Sequence, residues 1–257
     1  MTWSPRRCVP FAILGCLCLT AGACATSAAS PSSLVVIAPV ALRAPFVAMR
    51  PALLGRHPRW QINFDFVAEM PTSLVASVPA DVVATSDDAT MTQLVDNGIV
   101  DAPHRLAHDL LEIAVPTANP RRIHNLTDLA RTGARLAIVD PATATATAAG
   151  QATATVTARV LSAAHLHLAT ITAPDPAAAL DLVATGAADA ALVETSDFVS
   201  APPGLTEVPI TPSGAALVTY QIAVVKDSAH TQDARALAAE LIGAGQAALR
   251  DRGFLSP

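Results

Sequence analysis

The chain has 257 residues, of which 52% are hydrophobic, 14% charged and 4% aromatic, and its formal net charge is −5. That length suffices for two lobes of roughly 100 residues with their own cores. An acidic chain with no Lys/Arg cluster, and with Lys226 as its only lysine, speaks against nucleic acid as a partner. All four cysteines, Cys8, Cys16, Cys18 and Cys24, lie at the start, so no disulfide framework is expected in the rest.

The leader comes first. Arg6 and Arg7 precede a short apolar run at 11–20, and Ala21, Gly22 and Ala23 put small residues before Cys24. The run is short for a bilayer span, and 1–23 reads as a secretion signal. Cys24 fits the lipidated N-terminus that remains when a bacterial lipoprotein signal is cleaved, although Ala21 stands where such signals carry leucine. Ordinary secretion with cleavage near Ala23 is the alternative. Residues 24–32 are rich in Ser, Ala and Pro and read as a flexible tether.

Strands are expected at 33–38, 61–66 and 81–85. They alternate with helices at 44–54, 74–78 and 90–95, the last capped by Asp87 or Asp88. The second half repeats the rhythm: strand 111–115 ended by Pro116, helix 125–131, strand 135–139, helix 147–164, strand 168–171, helix 177–185 and strand 190–193. A strand at 218–225 and one long amphipathic helix over 231–252 close the chain. The Ala/Thr run at 142–157 is low in complexity, and its β-branched threonines weaken helix there. This alternation implies an α/β fold with mostly parallel sheets.

Catalytic chemistry has little to stand on. His104, His108 and Asp109 are close in sequence, but the remaining ligands of a zinc site are absent, and they read as surface or hinge residues. His165 and His167 read as exposed near a turn. Ser86, Asp87 and Asp88 suit a helix cap. No G-x-S-x-G, phosphate loop or catalytic carboxylate pair occurs, so no enzyme, metal or cofactor is expected.

The order of motifs resembles the molybdate-binding family of ABC importers. The carriers are ADVVATSD at 80–87 with Met91 and Leu94, IAVP at 113–116 with Asn119 and Pro120, LTDLAR at 126–131, and RLAIVDPAT at 135–143. LVATG at 182–186 with Asp189, IAVVK at 222–226, and Gly245, Gln246, Leu249, Gly253, Phe254 and Leu255 complete the series. The resemblance covers nearly all of the chain after the leader. It implies a two-lobed periplasmic binding protein of type II, each lobe a mostly parallel sheet flanked by helices. Lobe one would be 33–112 plus 224–257, and lobe two 113–223. It further implies an extracytoplasmic, membrane-anchored monomeric receptor that binds a small molecule, molybdate or tungstate, and delivers it to an ABC permease. Strand-to-helix turns suit that task, because helix starts offer free N–H groups to an anion.

The resemblance places the ligand at Ala41, Thr72, Ser73, Ala149, Pro176 and Glu194, and this chain departs from the family at most of them. Ala41 replaces a ligand serine. Thr72 or Ser73 would stand in for a second serine in a longer turn. Ala149 maps to a backbone donor beside Gly150, and Pro176 to another donor, although proline has no N–H. Glu194 replaces a ligand tyrosine, and an ionised carboxylate there would repel a dianion. Three readings stay open: molybdate held by a rearranged turn; a neutral or cationic ligand accepted by Glu194; or an unliganded pocket in which Glu194 caps a facing helix start. A surface sensor or interaction protein built on the receptor fold is the alternative in a different class.

Overall fold

The computed structural model describes residues 32–67, 70–139, 148–166, 168–211 and 213–257. The leader, the tether up to residue 31, Cys24, the Asp140–Pro141 turn and His167 lie outside the described residues. Residues 31–257 form one compact unit.

Nine strands and nine helices are found among the described residues, in an alternating order. β1 (Ser32–Pro39) pairs in parallel with β2 (Trp60–Val67) and β3 (Val82–Thr85). β5 (Leu136–Val139) pairs in parallel with β6 (Thr170–Ala173) and β7 (Ala190–Glu194). Two antiparallel strands join these sets. β9 (Leu217–Val224) lies between β3 and the first half of β4 (His104–Pro116). The second half of β4 pairs with β7 and with β8 (Leu205–Val208). The hydrogen-bonded path β2-β1-β3-β9-β4-β7-β5-β6 is therefore continuous, and β4 belongs to both sets.

Period-2 alternation sorts the strand side chains onto two faces. Leu34, Val36 and Ala38 of β1, Val82 and Ala84 of β3, and Ile113, Val115, Leu136, Ala190 and Leu192 of the second set enter one large core. It is covered by α1 (Arg43–Arg56), α4 (Leu126–Thr132), α5 (Ala148–Ala163), α8 (Thr231–Ile242) and α9 (Gln246–Arg250). The opposite face of the first set packs Ile37 and Val83 against Val75 of α2 (Thr72–Ser77) and Met91 and Leu94 of α3 (Asp88–Asp96). That of the second set packs Ala137, Ala191 and Val193 against Ala179, Leu180 and Val183 of α6 (Pro176–Ala184).

Side-chain caps start three helices where the sequence placed them. Asp87 accepts from Thr90 N at 2.7 Å, Asn125 from Asp128 N at 3.0 Å, and Asp175 from Ala178 N at 2.8 Å. Buried Asp81 accepts Val35 N at 2.8 Å and Ser228 Oγ at 2.6 Å, and meets His230 Nδ1 at 3.2 Å. It thereby ties β1 to the loop that leads into α8.

Strand β8 and a short helix over Thr195–Phe198 were not expected, and three expected elements have other bounds. β4 begins at His104, seven residues early, because β9 supplies a partner for a segment whose His, Arg and Asp hide its strand character. β6 starts at Thr170, not 168. The expected helix over 231–252 breaks after Ile242. A Cβ at Gly245 would stand 2.4 Å from Leu241 O and 2.8 Å from Met49 Sδ, so the chain passes there with no room for a side chain.

Candidate functional site

β1 ends at Pro39 and runs through a 3-10 turn (Val40–Leu42) straight into α1, with no side-chain cap on either helix start. Beside this turn lies a cavity of about 500 Å³. Ala41, Arg43 and Pro45 form one wall. Asp175, Pro176 and Ala177 at the start of α6 form another. Ser196, Asp197 and Val199, in and just after the short helix α7 (Thr195–Phe198), form a third, and Arg252 and Phe254 reach it from the C-terminal segment.

Two cations face the space. The Arg43 guanidinium sits 4.8 Å from the centre of the Phe66 ring. Arg252 is exposed, and among the described residues neither arginine makes an ion pair. The next three residues fix the position of Arg252. Gly253 has φ +84°, and a Cβ there would lie 2.9 Å from Thr195 O. Phe254 is buried edge-on against Tyr220, with ring centroids 5.3 Å apart, and Leu255 exchanges backbone hydrogen bonds with His108 of β4.

At and behind the third wall three carboxyl groups cluster, Asp109 and Glu194 buried and Asp197 half-buried. Glu194, the last residue of β7, is 2% exposed. It accepts Thr153 Oγ1 and Tyr220 Oη, each at 3.2 Å. Glu194 and Asp197 form a capping box at α7, with Glu194 N–H donating to Asp197 Oδ2 at 3.2 Å. Asp109 of β4 is fully buried; its Oδ1 accepts Leu110 N at 2.9 Å and Ser196 N at 3.3 Å, while its Oδ2 has no partner. No cation pairs with any of the three among the described residues. Burial pushes the Asp109 carboxyl up to about 6. Burial, and then the charge of Asp109, push Asp197 up to about 7. Burial raises Glu194 well above the usual carboxylate range, and the charges of Asp109 and Asp197 add to this. Burial and the same acids raise the Tyr220 phenol, which stays a donor.

Of the residues expected at the ligand, Ala41 and Pro176 do line this one cavity, across a sequence separation that only the fold bridges. Thr72 and Ser73 form the first turn of α2, outside the cavity lining. Ala149 falls in the first turn of α5, where side chains lie outside the described residues. Glu194 is not on the cavity wall. It shares a strand face with Ala190 and Leu192 and turns toward Tyr220 and the large core, where it is the N-cap of α7. Sequence reasoning missed Arg43, Asp197 and Arg252. Their signals were slight: an arginine just after the Ala41 turn, an acid three residues past Glu194, and an arginine before Gly253 and Phe254. His104, His108 and Asp109 lie on β4, and no group of three His, Cys, Asp or Glu among the described residues is placed to hold a metal.

A strand path of this order with a cavity at the starts of α1 and α6 defines a periplasmic-type binding protein. The chain belongs to the family of bacterial extracellular solute-binding proteins, which it matches over residues 34–255. It is 28% identical over 242 residues to the molybdate-binding protein ModA of Mycobacterium bovis, covering 91% of this chain and 90% of the relative. The tungstate-binding protein TupA of Desulfovibrio alaskensis superposes with a TM-score of 0.70 at 11% identity, over 88% of this chain and 98% of that one. The periplasmic molybdate-binding protein of Azotobacter vinelandii gives 0.60 at 17% identity, over 87% and 99%. These relatives are receptors and not enzymes.

Proposed function

We propose that this protein is the extracytoplasmic receptor of an ABC importer and that it takes a small oxyanion of the molybdate or tungstate type. The observation that carries the reading is the cavity beside the uncapped start of α1. The Ala41 turn, Arg43 and Arg252 all line that space, where an anion would meet an uncapped helix start and two cationic residues. The ModA relatives, matched along nine-tenths of their length, support it. We take the lobes as 33–112 plus 224–257 and 113–223; the switch of β4 from β9 to β7 and β8 near Leu110 supports the first crossing, whereas β9 already pairs with β3 before the second. A lipid anchor at Cys24 and a monomeric receptor complete the proposal.

A second reading rests on the walls themselves. Asp175, Asp181 and Asp197 also line the cavity and would suit a cationic or neutral ligand. A thermal-shift screen separates the two. Molybdate or tungstate at about a hundred times its Kd should stabilise the fold by about 2.7 kcal/mol, seen as a rise in Tm of roughly 5–10 °C. A shift with amines or sugars and none with oxyanions would assign the cavity to the second class.

A further inference from the structure

We propose that this receptor binds its anion together with a proton, and that Asp109, Glu194 and Asp197 are the proton site. The inference rests on the oxyanion reading. Asp197 belongs both to the cavity wall and to the buried acid cluster, so charge in the cavity is felt directly by the cluster. Among the described residues the donors to the three acids are neutral: Thr153 Oγ1 from α5, Tyr220 Oη from β9, the Ser196 side chain, and the backbone N–H groups of Leu110, Glu194 and Ser196. The other ionisable neighbours are acids as well: Asp175 at the start of α6, and Glu112 of β4 with Glu207 of β8 on the Asp109 side. Arg43 and Arg252 reach the cavity, and among the described residues neither forms an ion pair with the cluster.

Burial of Asp109 and Glu194 beside Asp197, with no cation paired to them among the described residues, disfavours three negative charges there. Asp109 Oδ2 is buried with no partner, and a proton shared with its neighbour Glu194 would give it one; the Ser196 side chain also stabilises the Asp109 carboxylate. Burial and mutual repulsion favour a proton on the Asp109–Glu194 pair, and Asp197, which is raised to about 7 and stands on the cavity wall, is the group left to respond. An anion entering the cavity disfavours the ionised form of Asp197. One proton moves from solvent to an Asp197 oxygen, and the wall loses a charge that would repel the ligand. Protonation and anion binding then promote each other by the same factor.

The test is calorimetric titration of the purified protein with sodium tungstate between pH 6.5 and 8.5. Each pH is measured in two buffers of different ionisation enthalpy. Near neutral pH, roughly half a proton to one proton should be taken up per anion. Above pH 7 affinity should weaken by up to about tenfold per pH unit. Asp197→Asn should abolish the uptake and flatten the profile. Asp109→Asn keeps the Oδ1 acceptor and serves if the first variant does not fold; it should reduce the uptake. Binding with equal heats in both buffers and a Kd independent of pH would overturn the proposal and leave the oxyanion reading intact. No binding at any pH would overturn both.

Discussion

Asp109 is satisfied on one oxygen and orphaned on the other, and that asymmetry sets how stability depends on pH. Its folded carboxyl titrates at about 6 against an ordinary 3.8, and that of Asp197 at about 7. Both pKa values are raised, so the folded state binds protons more tightly than the unfolded chain. The resulting stabilisation is fully present below about pH 4 and is lost as pH rises through 6 to 7. Urea midpoints should therefore fall between pH 5 and pH 8. Asp109→Asn should flatten that fall and match or exceed the parent at pH 8, by about 1–3 kcal/mol. Midpoints that stay level or rise toward pH 8 in the parent would contradict this account. Glu194 shows what was readable at this scale. Its oddness at a strand end was visible, but the sequence placed it at the ligand and not on the face it shares with Ala190 and Leu192. The identity of that face was not visible, because Tyr220 and Asp109 reach it from strands far away in sequence.

Elements were easier to read than their contacts. Periodicity located β1, α1, β2 and β3 to within a residue or two, because each buries one regular face. The long C-terminal helix was misread because its hydrophobic period continues across Gly243 and Gly245, where the chain leaves helix at Gly243 and passes close to Leu241 O and Met49 of α1. Two glycines then make a matched test by thermal unfolding. Gly245→Ala forces a methyl group against Leu241 O and Met49 and should cost about 1–3 kcal/mol. Gly55→Ala lies within α1, meets nothing within 4 Å, and should stabilise by about 0.5–1 kcal/mol. If both variants behave alike, the break between α8 and α9 is not a matter of space.

At the scale of the molecule, the alternating order implied α/β, and the family resemblance supplied the rest of the architecture. What neither conveyed is that one 13-residue strand, β4, serves both strand sets. Among the described residues no helix is long and apolar enough to cross a membrane. The proposal assigns membrane attachment to Cys24. Cys24→Ala should move the protein from the membrane fraction to the medium while leaving Tm unchanged. A variant that still sediments with membranes would remove the lipid from the proposal.

The position of β9 also sets a timetable. The first three strands are made within residues 32–85, yet β3 borders β9, and Val82 pairs with Val224. The sheet they begin has an unpaired edge until the C-terminal part of the chain exists. Closing so large a loop is a slow step, and contacts that distant reward the chain only late. A polypeptide emerging N-terminus first therefore stays extensible until its final stretch is delivered. For a chain proposed to be threaded out of the cytoplasm, lateness keeps it slender in transit, and β9 locks the fold only after the rest has arrived.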